Sequence, residues 1–213
     1  HVNYGKEMTV NEVVKEIMKD SIFFFHSGGG VTLSGGEVLS QGDFAANILR
    51  ECRNMGISTA IETSMHSSYD NVEKLLPWLD YLFVDIKHMD SGEHKKWVGT
   101  DNAVILENIK KVDNSDYKLK IYVRVPIIPS INDDKNNLTE IVYFCKDIKK
   151  LEEIELLPYH RLGMDTYRKL GREYELKRIP VPSKEYVRNS AVFMSEIIPG
   201  INIKFDGEYI FTS

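Results

Sequence analysis

The sequence SGGE, Ser34–Glu37, follows a short predicted strand and could bind an amino group. Gly35 and Gly36 have no Cβ, so a ligand can approach their backbone N–H and C=O groups closely. The ammonium group of an amino acid needs hydrogen-bond acceptors, which the Glu37 carboxylate and the backbone carbonyl groups would supply. The alternative is a tight turn that carries a surface acid, and these residues alone leave both interpretations open.

Glycine-rich turns can also bind phosphate, but neither glycine cluster of this chain has the usual pattern. A phosphate loop runs from a strand through glycines into a helix N-terminus, with a lysine or a G-x-G-x-x-G spacing. Gly35–Gly36 lacks the lysine, and Gly28–Gly30 precedes a strand instead of following one. We interpret Gly28–Gly30 as a flexible loop. A phosphate-binding barrel enzyme that uses this loop is a further alternative for the function.

Five polar side chains are predicted at the carboxyl ends of strands: Ser34, Glu62, Asp85, Lys87 and Arg124. Apolar and polar residues alternate along these strands, so the two sets point to opposite faces. The apolar set suits a layer of outer helices. The polar set faces the lumen, at the end where β/α barrels have their active sites, and we expect it to converge there. The alternative is a solvated rim or internal ion pairs, Asp85 with Lys87 or Glu62 with Arg124.

Strand and helix patterns alternate along the chain with short connections. Thr9 and Glu12 have the spacing of a capping box, and Asp70, Asp101 and either Asp133 or Asp134 are predicted to cap later helices. The predicted strands are Val31–Ser34, Ile57–Thr63, Tyr81–Lys87, Lys118–Val125, Ile154–Leu157 and a short one near Ile201–Phe205. This order predicts an α/β fold with a parallel sheet, in a single domain over residues 1–213.

Composition argues against several classes of protein. A net charge of −5 gives no basic surface for nucleic acid, and no apolar run has the length of a membrane span. The two cysteines, Cys52 and Cys145, share no motif and are predicted to be small core residues. Because such cysteines fit a reducing compartment, we expect a cytoplasmic protein without nucleic-acid or membrane partners.

Four motifs in order resemble the activating enzymes of glycyl radical enzymes, a family within the radical S-adenosylmethionine (SAM) superfamily. The motifs are SGGE at Ser34–Glu37, DIK at Asp85–Lys87, RVPIIP at Arg124–Pro129 and ELLPYH at Glu155–His160. The resemblance covers nearly the whole chain. It implies a partial (β/α) barrel of the TIM type, with SAM across the C-terminal ends of the strands. The parallel sheet would be open, because the first strand of the family is missing here.

The resemblance also implies which residues bind SAM. Gly35, Gly36 and Glu37 match the motif that holds the methionine amino group, with Ser34 beside them. The other matches are Asp85, Ile86, Lys87 and His160 around SAM, Glu62 and Thr63 near the ribose or carboxylate, and Arg124 in the lumen. Lys87 and Arg124 would then oppose the SAM carboxylate. Asp85 and Glu62 would order hydroxyl groups or a cation.

One departure from the family is serious. The family's reaction requires a [4Fe-4S] cluster held by the motif C-x-x-x-C-x-x-C, whereas this sequence has only two unrelated cysteines. We therefore predict no metal ligands in this chain and a cluster in the intact protein only. We expect this chain to be a piece of a longer activase that is truncated before the second β/α unit of the family. The strand Val31–Ser34 would then lie at an open edge, paired with a second copy or covered by His1–Tyr4.

The function implied by the resemblance is that of an oxidoreductase. Such an enzyme cleaves SAM to a 5′-deoxyadenosyl radical and so generates a glycyl radical on a partner enzyme such as pyruvate formate-lyase. The expected partners are the glycine loop of that enzyme and a flavodoxin or ferredoxin as electron donor. The chain alone is expected to be inactive. The alternative is a non-catalytic module that binds SAM, or docks on a partner, without a cluster.

Overall fold

The structure, a computed structural model, describes residues 5–169 and 171–211. The strands in this part of the chain are β1 (Gly30–Leu33), β2 (Ser58–Thr63), β3 (Tyr81–Asp85), β4 (Lys120–Ile127), β5 (Leu151–Pro158), β6 (Ile203–Phe205) and β7 (Glu208–Ile210). The α-helices are α1 (Val10–Ile17), α2 (Ser21–Ser27), α3 (Gly42–Asn54), α4 (Tyr69–Glu73), α5 (Ser91–Val98), α6 (Ala103–Asp113), α7 (Lys135–Cys145), α8 (Met164–Lys169) and α9 (Lys184–Ile197). Strands and helices therefore alternate along most of the chain, as predicted.

The strands form one open, mostly parallel sheet in chain order, with β1 at one edge and β7 at the other. β1 pairs with β2, β4 with β5 and β5 with β6 in parallel, and only the last recorded pair, β6 with β7, is antiparallel. The predicted α/β fold and the edge position of the first strand are confirmed. The expectation that His1–Tyr4 covers this edge lies outside the described residues.

Local sequence sets the starts of α1 and α7 in the way that the capping signals predict. The Thr9 side chain accepts a hydrogen bond from the Glu12 N–H, and the Glu12 carboxylate accepts one from the Thr9 N–H, which completes the capping box of α1. Asp134 caps α7 by accepting from the Asn137 N–H at 3.0 Å. The prediction that Asp70 caps a helix was wrong, because α4 begins one residue before it and Ser68 occupies the N-cap position.

Of the glycines interpreted as a flexible loop, Gly28 and Gly29 connect α2 with β1, but Gly30 belongs to β1, so the interpretation was wrong for Gly30. Gly28 ends α2 in the left-handed conformation, with φ +68°. Gly30 is the first residue of β1, where a Cβ would lie 2.0 Å from the carbonyl oxygen of Ser58. Only glycine therefore allows β1 to approach β2 at this point. The glycines lead into a strand and not into a helix, which also disfavours a phosphate loop.

The chain divides into two compact units. The first consists of His1–Phe83 and Val104–Lys120, and the second of Val84–Ala103 and Ile121–Ser213. In the first unit, Ile48, Cys52 and Ile57 form a buried cluster against partly buried apolar side chains of α1, α2, α3 and β1. A single domain over residues 1–213 stays a prediction. Within the described residues, no helix combines the length and apolarity needed to cross a lipid bilayer.

Alternation along β4 organises the core of the second unit. Ile121, Val123 and Val125 are completely buried, whereas Tyr122 and Arg124 between them are half-buried. The apolar face of this strand therefore lies in the core, and its polar face is left for other contacts, as the period of two predicts.

Candidate functional site

Glu37 anchors the loop that follows β1. Its side chain caps a 3-10 turn, Val38–Gln41, and the carboxylate accepts four hydrogen bonds. Oε1 accepts from the Leu39 N–H at 3.0 Å and from the Thr63 hydroxyl at 2.5 Å. Oε2 accepts from the N–H and the hydroxyl of Ser64, at 3.0 and 2.6 Å. The loop after β1 is thereby tied to the C-terminal end of β2.

These hydrogen bonds also keep Glu37 charged. Partial burial raises the pKa of the carboxyl, but the hydrogen bonds from Ser64, Thr63 and Leu39 together outweigh it and hold the pKa below its ordinary value. A carboxylate has about four lone-pair sites, and the four donors occupy them. The acceptors that this loop offers to a ligand are therefore its backbone carbonyl groups, and the Glu37 side chain fixes where those groups lie.

The backbone of Gly35 and Gly36 faces open space. Gly35 has φ +103°, a conformation that L side chains rarely adopt, and a Cβ built on either glycine would meet no atom within 4 Å. A cavity of ≈ 370 Å³ lies against this loop and against the start of α3. The two glycines thus leave a fixed stretch of backbone accessible at the C-terminal end of β1.

Ser34 and Glu62 extend this cluster. Leu33 is paired with Ile61 in the parallel register of β1 and β2, so Ser34 and Glu62 come next on neighbouring strands. The Ser34 hydroxyl donates to Glu62 Oε2 at 2.7 Å. The structure therefore brings together four of the predicted site residues in the first unit: Ser34, Glu37, Glu62 and Thr63.

The loop after β2 is held by residues that the sequence analysis missed. Met65 is completely buried and has φ +60°, an uncommon conformation for a residue with a side chain. Its N–H donates to the Thr63 hydroxyl at 3.0 Å, and its carbonyl accepts from the Asn108 amide at 2.9 Å. Asn108 also donates to the carbonyl of Ser67. Asn108 shares a helix face with Ile105, Ile109 and Val112, and this polar position among apolar ones was an available signal.

The DIK motif lies at the end of β3 in the second unit. Ile86 is buried, and its N–H donates to the Arg124 carbonyl at 2.9 Å. Asp85 and Lys87 lie on the half-buried face, where Lys87 Nζ is 2.9 Å from Asp85 Oδ2. The ion pair that the sequence analysis offered as an alternative is therefore present. Since the side chains of Lys87 and Asp85 are 33% and 40% exposed, a ligand could still reach both groups.

Arg124 takes part in a row of charges across the strands of the second unit. It lies opposite Glu155 in the register of β4 and β5, and its Nε donates to Glu155 Oε2 at 3.2 Å. Glu155 in turn lies opposite Lys204 of β6, which donates to the buried Glu153 at 3.0 Å. The hydrogen bond to Glu153 raises the pKa of Lys204. The charges alternate in sign along the row. Arg124 is therefore held in place by Glu155, which was not among the predicted site residues.

Buried asparagines fix the backbone after the DIK motif. The Asn132 amide donates to the carbonyl groups of Lys87 and Pro126 at 2.8 and 2.6 Å, and its oxygen accepts from the Ile128 N–H. Asn137 donates to the Asn132 carbonyl and accepts from the Met89 N–H. These amides were missed, because in sequence they resemble the polar residues of an ordinary loop and helix start.

His160, the last predicted site residue, follows β5. Its side chain is exposed, and its Nδ1 accepts a long hydrogen bond of 3.4 Å from the Leu162 N–H. Among the described residues, its side chain hydrogen-bonds only within its own loop. His160 is therefore at the predicted strand end and accessible, and it is not part of the Arg124 row.

The two cysteines do not form a metal site. Cys52 in α3 and Cys145 in α7 are both completely buried, and burial raises the pKa of each thiol. The described residues contain no group of three or more histidine, cysteine, aspartate or glutamate side chains that could hold a metal ion.

Comparison with known proteins gives consistent matches. Residues 1–140 match the family model of the Radical SAM superfamily. The pyruvate formate-lyase-activating enzyme of Clostridium pasteurianum is 37% identical over 91% of this chain and 80% of that protein. The 4-hydroxyphenylacetate decarboxylase activating enzyme of Clostridioides difficile (strain 630) is 44% identical over 80% of this chain, which spans only 54% of that protein. A crystallised domain of pyruvate-formate lyase-activating enzyme from Bacteroides vulgatus has a TM-score of 0.67 and 28% identity, over 84% of this chain and 99% of the domain.

Proposed function

The chain belongs to the radical SAM superfamily and, within it, to the activating enzymes of glycyl radical enzymes, and we propose that it forms the SAM-binding part of such an activase. The observation that carries the proposal is the accessible Gly35–Gly36 backbone, held rigidly by Glu37 at the end of β1. The residues proposed to bind SAM are Ser34, Gly35, Gly36, Glu37, Glu62 and Thr63 in the first unit and Asp85, Ile86, Lys87, Arg124 and His160 in the second.

The residues of the first unit fit the polar groups of SAM in chemical type. The carbonyl groups of Gly35 and Gly36 accept from the ammonium group, and the Glu37 carboxylate keeps these carbonyl groups in position. Glu62, which already accepts from Ser34, orders ribose hydroxyl groups. This assignment needs no movement of Glu37, whose hydrogen bonds are complete in the free protein.

The residues of the second unit supply charge. Lys87 and Arg124 oppose the SAM carboxylate. Because each is already held in an ion pair, with Asp85 or Glu155, its side chain loses less conformational entropy when SAM binds. Ile86 keeps the backbone of the DIK motif in the core, and His160 lies at the open end of β5. These groups orient the cofactor and balance its charge, which are the tasks that a protein performs for a reactive cofactor.

When bound, SAM supplies the group that removes a hydrogen atom from a glycine of the partner enzyme. The proposed partner is therefore a glycyl radical enzyme that presents its glycine loop, with a flavodoxin or ferredoxin as the electron donor. The two relatives are named as activating enzymes for pyruvate formate-lyase and for 4-hydroxyphenylacetate decarboxylase, so the partner is an enzyme of this kind.

The [4Fe-4S] cluster of the superfamily does not fit the cysteines of this chain. Such a cluster is held by several thiolates, whereas Cys52 and Cys145 are two buried thiols on separate helices. We propose that the cluster ligands of the intact protein lie outside the 213 residues, and we assign no chemical step to either cysteine. The same observation favours a second candidate, a module that binds SAM or docks on a partner without catalysis.

Titration of the chain with SAM, followed by calorimetry, tests the proposal. We expect weak binding, because the iron to which the family attaches SAM is missing, and a further loss of about tenfold in Gly36→Ala. An alanine methyl at Gly36 would project into the open space that SAM occupies, whereas in the control Gly42→Ala it meets only ordinary contacts near 3.7 Å. Equal affinity of the two variants would contradict the site, and low-micromolar affinity of the unaltered chain would favour the non-catalytic module.

A further inference from the structure

A second cavity, of ≈ 280 Å³, lies in the second unit, and Lys87 is one of its lining residues. Ile128, Ile131 and Leu176 give it apolar walls. The rings of Trp97 and Tyr167 also line it and are 38% and 41% exposed, which places them where the cavity meets solvent. The cavity is thus mainly apolar and open at one side, the usual character of a site for a small group.

His88 lines this cavity and offers it a hydrogen-bond donor. The residue is only 8% exposed, and its Nδ1 accepts a hydrogen bond from the Asp90 N–H at 3.0 Å. An accepting nitrogen carries no proton, so in the neutral ring the proton is on Nε2. Among the described residues, Nε2 has no hydrogen-bond partner.

His94 lines the same cavity and offers it an acceptor. The residue is 2% exposed, and its Nδ1 lies 2.7 Å from the carbonyl oxygen of Thr100. A carbonyl can only accept, so Nδ1 is the protonated nitrogen and Nε2 of the neutral ring is an acceptor. Among the described residues, Nε2 of His94 has no partner either.

Both unpartnered nitrogens retain some accessible surface. Within the described residues, no completely buried side-chain nitrogen or oxygen lacks a hydrogen-bond partner. His88 and His94 are both more than nine-tenths buried, and both line the cavity. To the apolar walls of the cavity, the two histidines therefore add one donor and one acceptor, whose roles are fixed by the backbone.

We propose that this cavity binds a phenol group, presented as a tyrosine side chain of a partner polypeptide. A phenol hydroxyl is a single polar atom that can accept from His88 and donate to His94, while its ring packs on apolar walls. A carboxamide side chain would bring more polar atoms than the two histidines can satisfy, and unsatisfied polar atoms are costly to bury. A phenyl group would leave both nitrogens without a partner.

Lys87 connects the cavity with the proposed function. It lines the cavity and is also one of the residues proposed to bind SAM. We therefore take the polypeptide that presents its glycine to SAM as the source of the phenol. The choice of a polypeptide as the source of the phenol rests on the proposed function, whereas the binding of a phenol rests on the cavity alone.

The wall that carries Leu176 and Tyr167 is fixed before any ligand binds. The Tyr159 hydroxyl donates to the Leu176 carbonyl at 3.1 Å and accepts from the Tyr174 hydroxyl at 2.9 Å. Tyr167 packs edge-to-face on Tyr174, with ring centroids 5.0 Å apart. Because Tyr159 directly follows β5, this chain of contacts attaches the wall to the sheet, and binding needs little reorganisation.

Nuclear magnetic resonance of the indole N–H groups tests the proposal on the full chain. The two tryptophans serve as reporter and reference, since Trp97 lines the cavity and Trp78 lies in the first unit. We expect N-acetyl-tyrosinamide to shift the Trp97 signal and leave the Trp78 signal in place. N-acetyl-phenylalaninamide should bind about tenfold more weakly, since it makes neither hydrogen bond.

Two conservative variants separate the hydrogen bonds from the fold. An asparagine amide can replace Nδ1 of a histidine but has nothing at the position of Nε2. His88→Asn and His94→Asn therefore keep the bonds to Asp90 and Thr100 and remove the cavity donor or acceptor. We expect each variant to lose most of the preference for the tyrosine over the phenylalanine derivative. The exposed His26 supplies the control, His26→Asn, which should keep the preference.

Three outcomes would overturn the proposal. One is equal binding of the tyrosine and phenylalanine derivatives to the unaltered chain, and another is an unchanged preference in both histidine variants. The third is binding of p-cresol without binding of N-acetyl-tyrosinamide, which would identify a free phenol in place of a polypeptide side chain. None of these measurements uses SAM, so loss of SAM binding with intact tyrosine binding would contradict the proposed function and leave the cavity assignment in place.

Discussion

The Thr63 hydroxyl donates a hydrogen bond of 2.5 Å to the Glu37 carboxylate and so joins the last residue of β2 to the loop after β1. Glycines and glutamate have different tasks in this loop. Gly35 and Gly36 leave their backbone open, whereas Glu37 removes the mobility that two adjacent glycines would otherwise give. A ligand that binds the backbone therefore meets a loop that is already ordered.

Glu37→Gln should destabilise the protein. One carboxylate oxygen becomes an NH₂ group, which faces two donors in place of accepting from them. We expect the free energy of unfolding to fall by about 1–3 kcal/mol and SAM affinity to fall with it, since the loop loses its anchor. Urea unfolding measures the first effect. Glu16 of α1 forms an exposed ion pair with Lys19, which lies just after the helix. Glu16→Gln is therefore the control, and a loss of comparable size in this variant would contradict the assignment.

The contribution of Glu37 should depend on pH in a defined direction. Its pKa is lower in the folded than in the unfolded protein, because its hydrogen bonds outweigh the cost of burial. The stabilisation is therefore complete above the unfolded pKa of about 4.3 and is lost as pH falls through the folded pKa. Unfolding curves of the unaltered protein and Glu37→Gln should converge as pH falls below about 4. A difference that persists unchanged to pH 2 would contradict this origin.

The faces of the strands could be predicted because a strand repeats every two residues. Tyr122 and Arg124 between the buried Ile121, Val123 and Val125 are sufficient to assign the two faces of β4. The direction of Arg124 could be predicted in this way. Its partner Glu155 could not, because it depends on the register between β4 and β5, which the alternation of a single strand does not contain.

Two elements that the sequence analysis missed could have been predicted from the residues at their ends or turns, although not from the spacing of their apolar residues. The helix α5 has no clear apolar face, but Asp90 caps its start and Gly99, with φ +92°, ends it. The strand β7 forms a hairpin with β6, which was predicted. The hairpin turns at Asp206 and Gly207, both with positive φ, and the sequence Asp-Gly is typical of this turn. The buried asparagines gave a weaker signal, since Asn132 bonds to a carbonyl 45 residues earlier in the chain.

Asn132→Ala should be strongly destabilising. The substitution removes the Asn132 amide from the partly buried carbonyl groups of Lys87 and Pro126 and from the N–H of Ile128. We expect a loss of about 2–4 kcal/mol in the free energy of unfolding, and weaker SAM binding because the backbone of Lys87 is released. The exposed Asn136, in the first turn of α7, gives the matched control. Similar stabilities of Asn132→Ala and Asn136→Ala would show that the hydrogen bonds of the Asn132 side chain contribute little to the stability of the fold.

Gly30→Ala should separate β1 from β2. The new methyl group would lie 2.0 Å from the Ser58 carbonyl oxygen, which is part of the backbone and cannot rotate away. Since β1 has only β2 as a neighbouring strand in the described part of the chain, we expect it to detach, with faster amide hydrogen exchange in Val31–Leu33. Gly42→Ala, whose methyl group has room, should exchange at the normal rate. Equal exchange in both variants would mean that the strands can pair without the close approach.

The cysteines should neither react nor bind iron in the folded protein. Burial raises the pKa of both Cys52 and Cys145, and a thiol that stays protonated is a poor nucleophile and a poor metal ligand. We expect slow reaction with a thiol reagent in buffer, rapid reaction in urea, and no cluster absorbance after anaerobic reconstitution with iron and sulfide. The variant with Cys52→Ala and Cys145→Ala is the control for iron bound elsewhere. The contradicting result would be about four iron atoms per chain in the unaltered protein and none in this variant. The two thiols would then bind a cluster, and the assignment of the cluster ligands to residues outside this chain would be wrong.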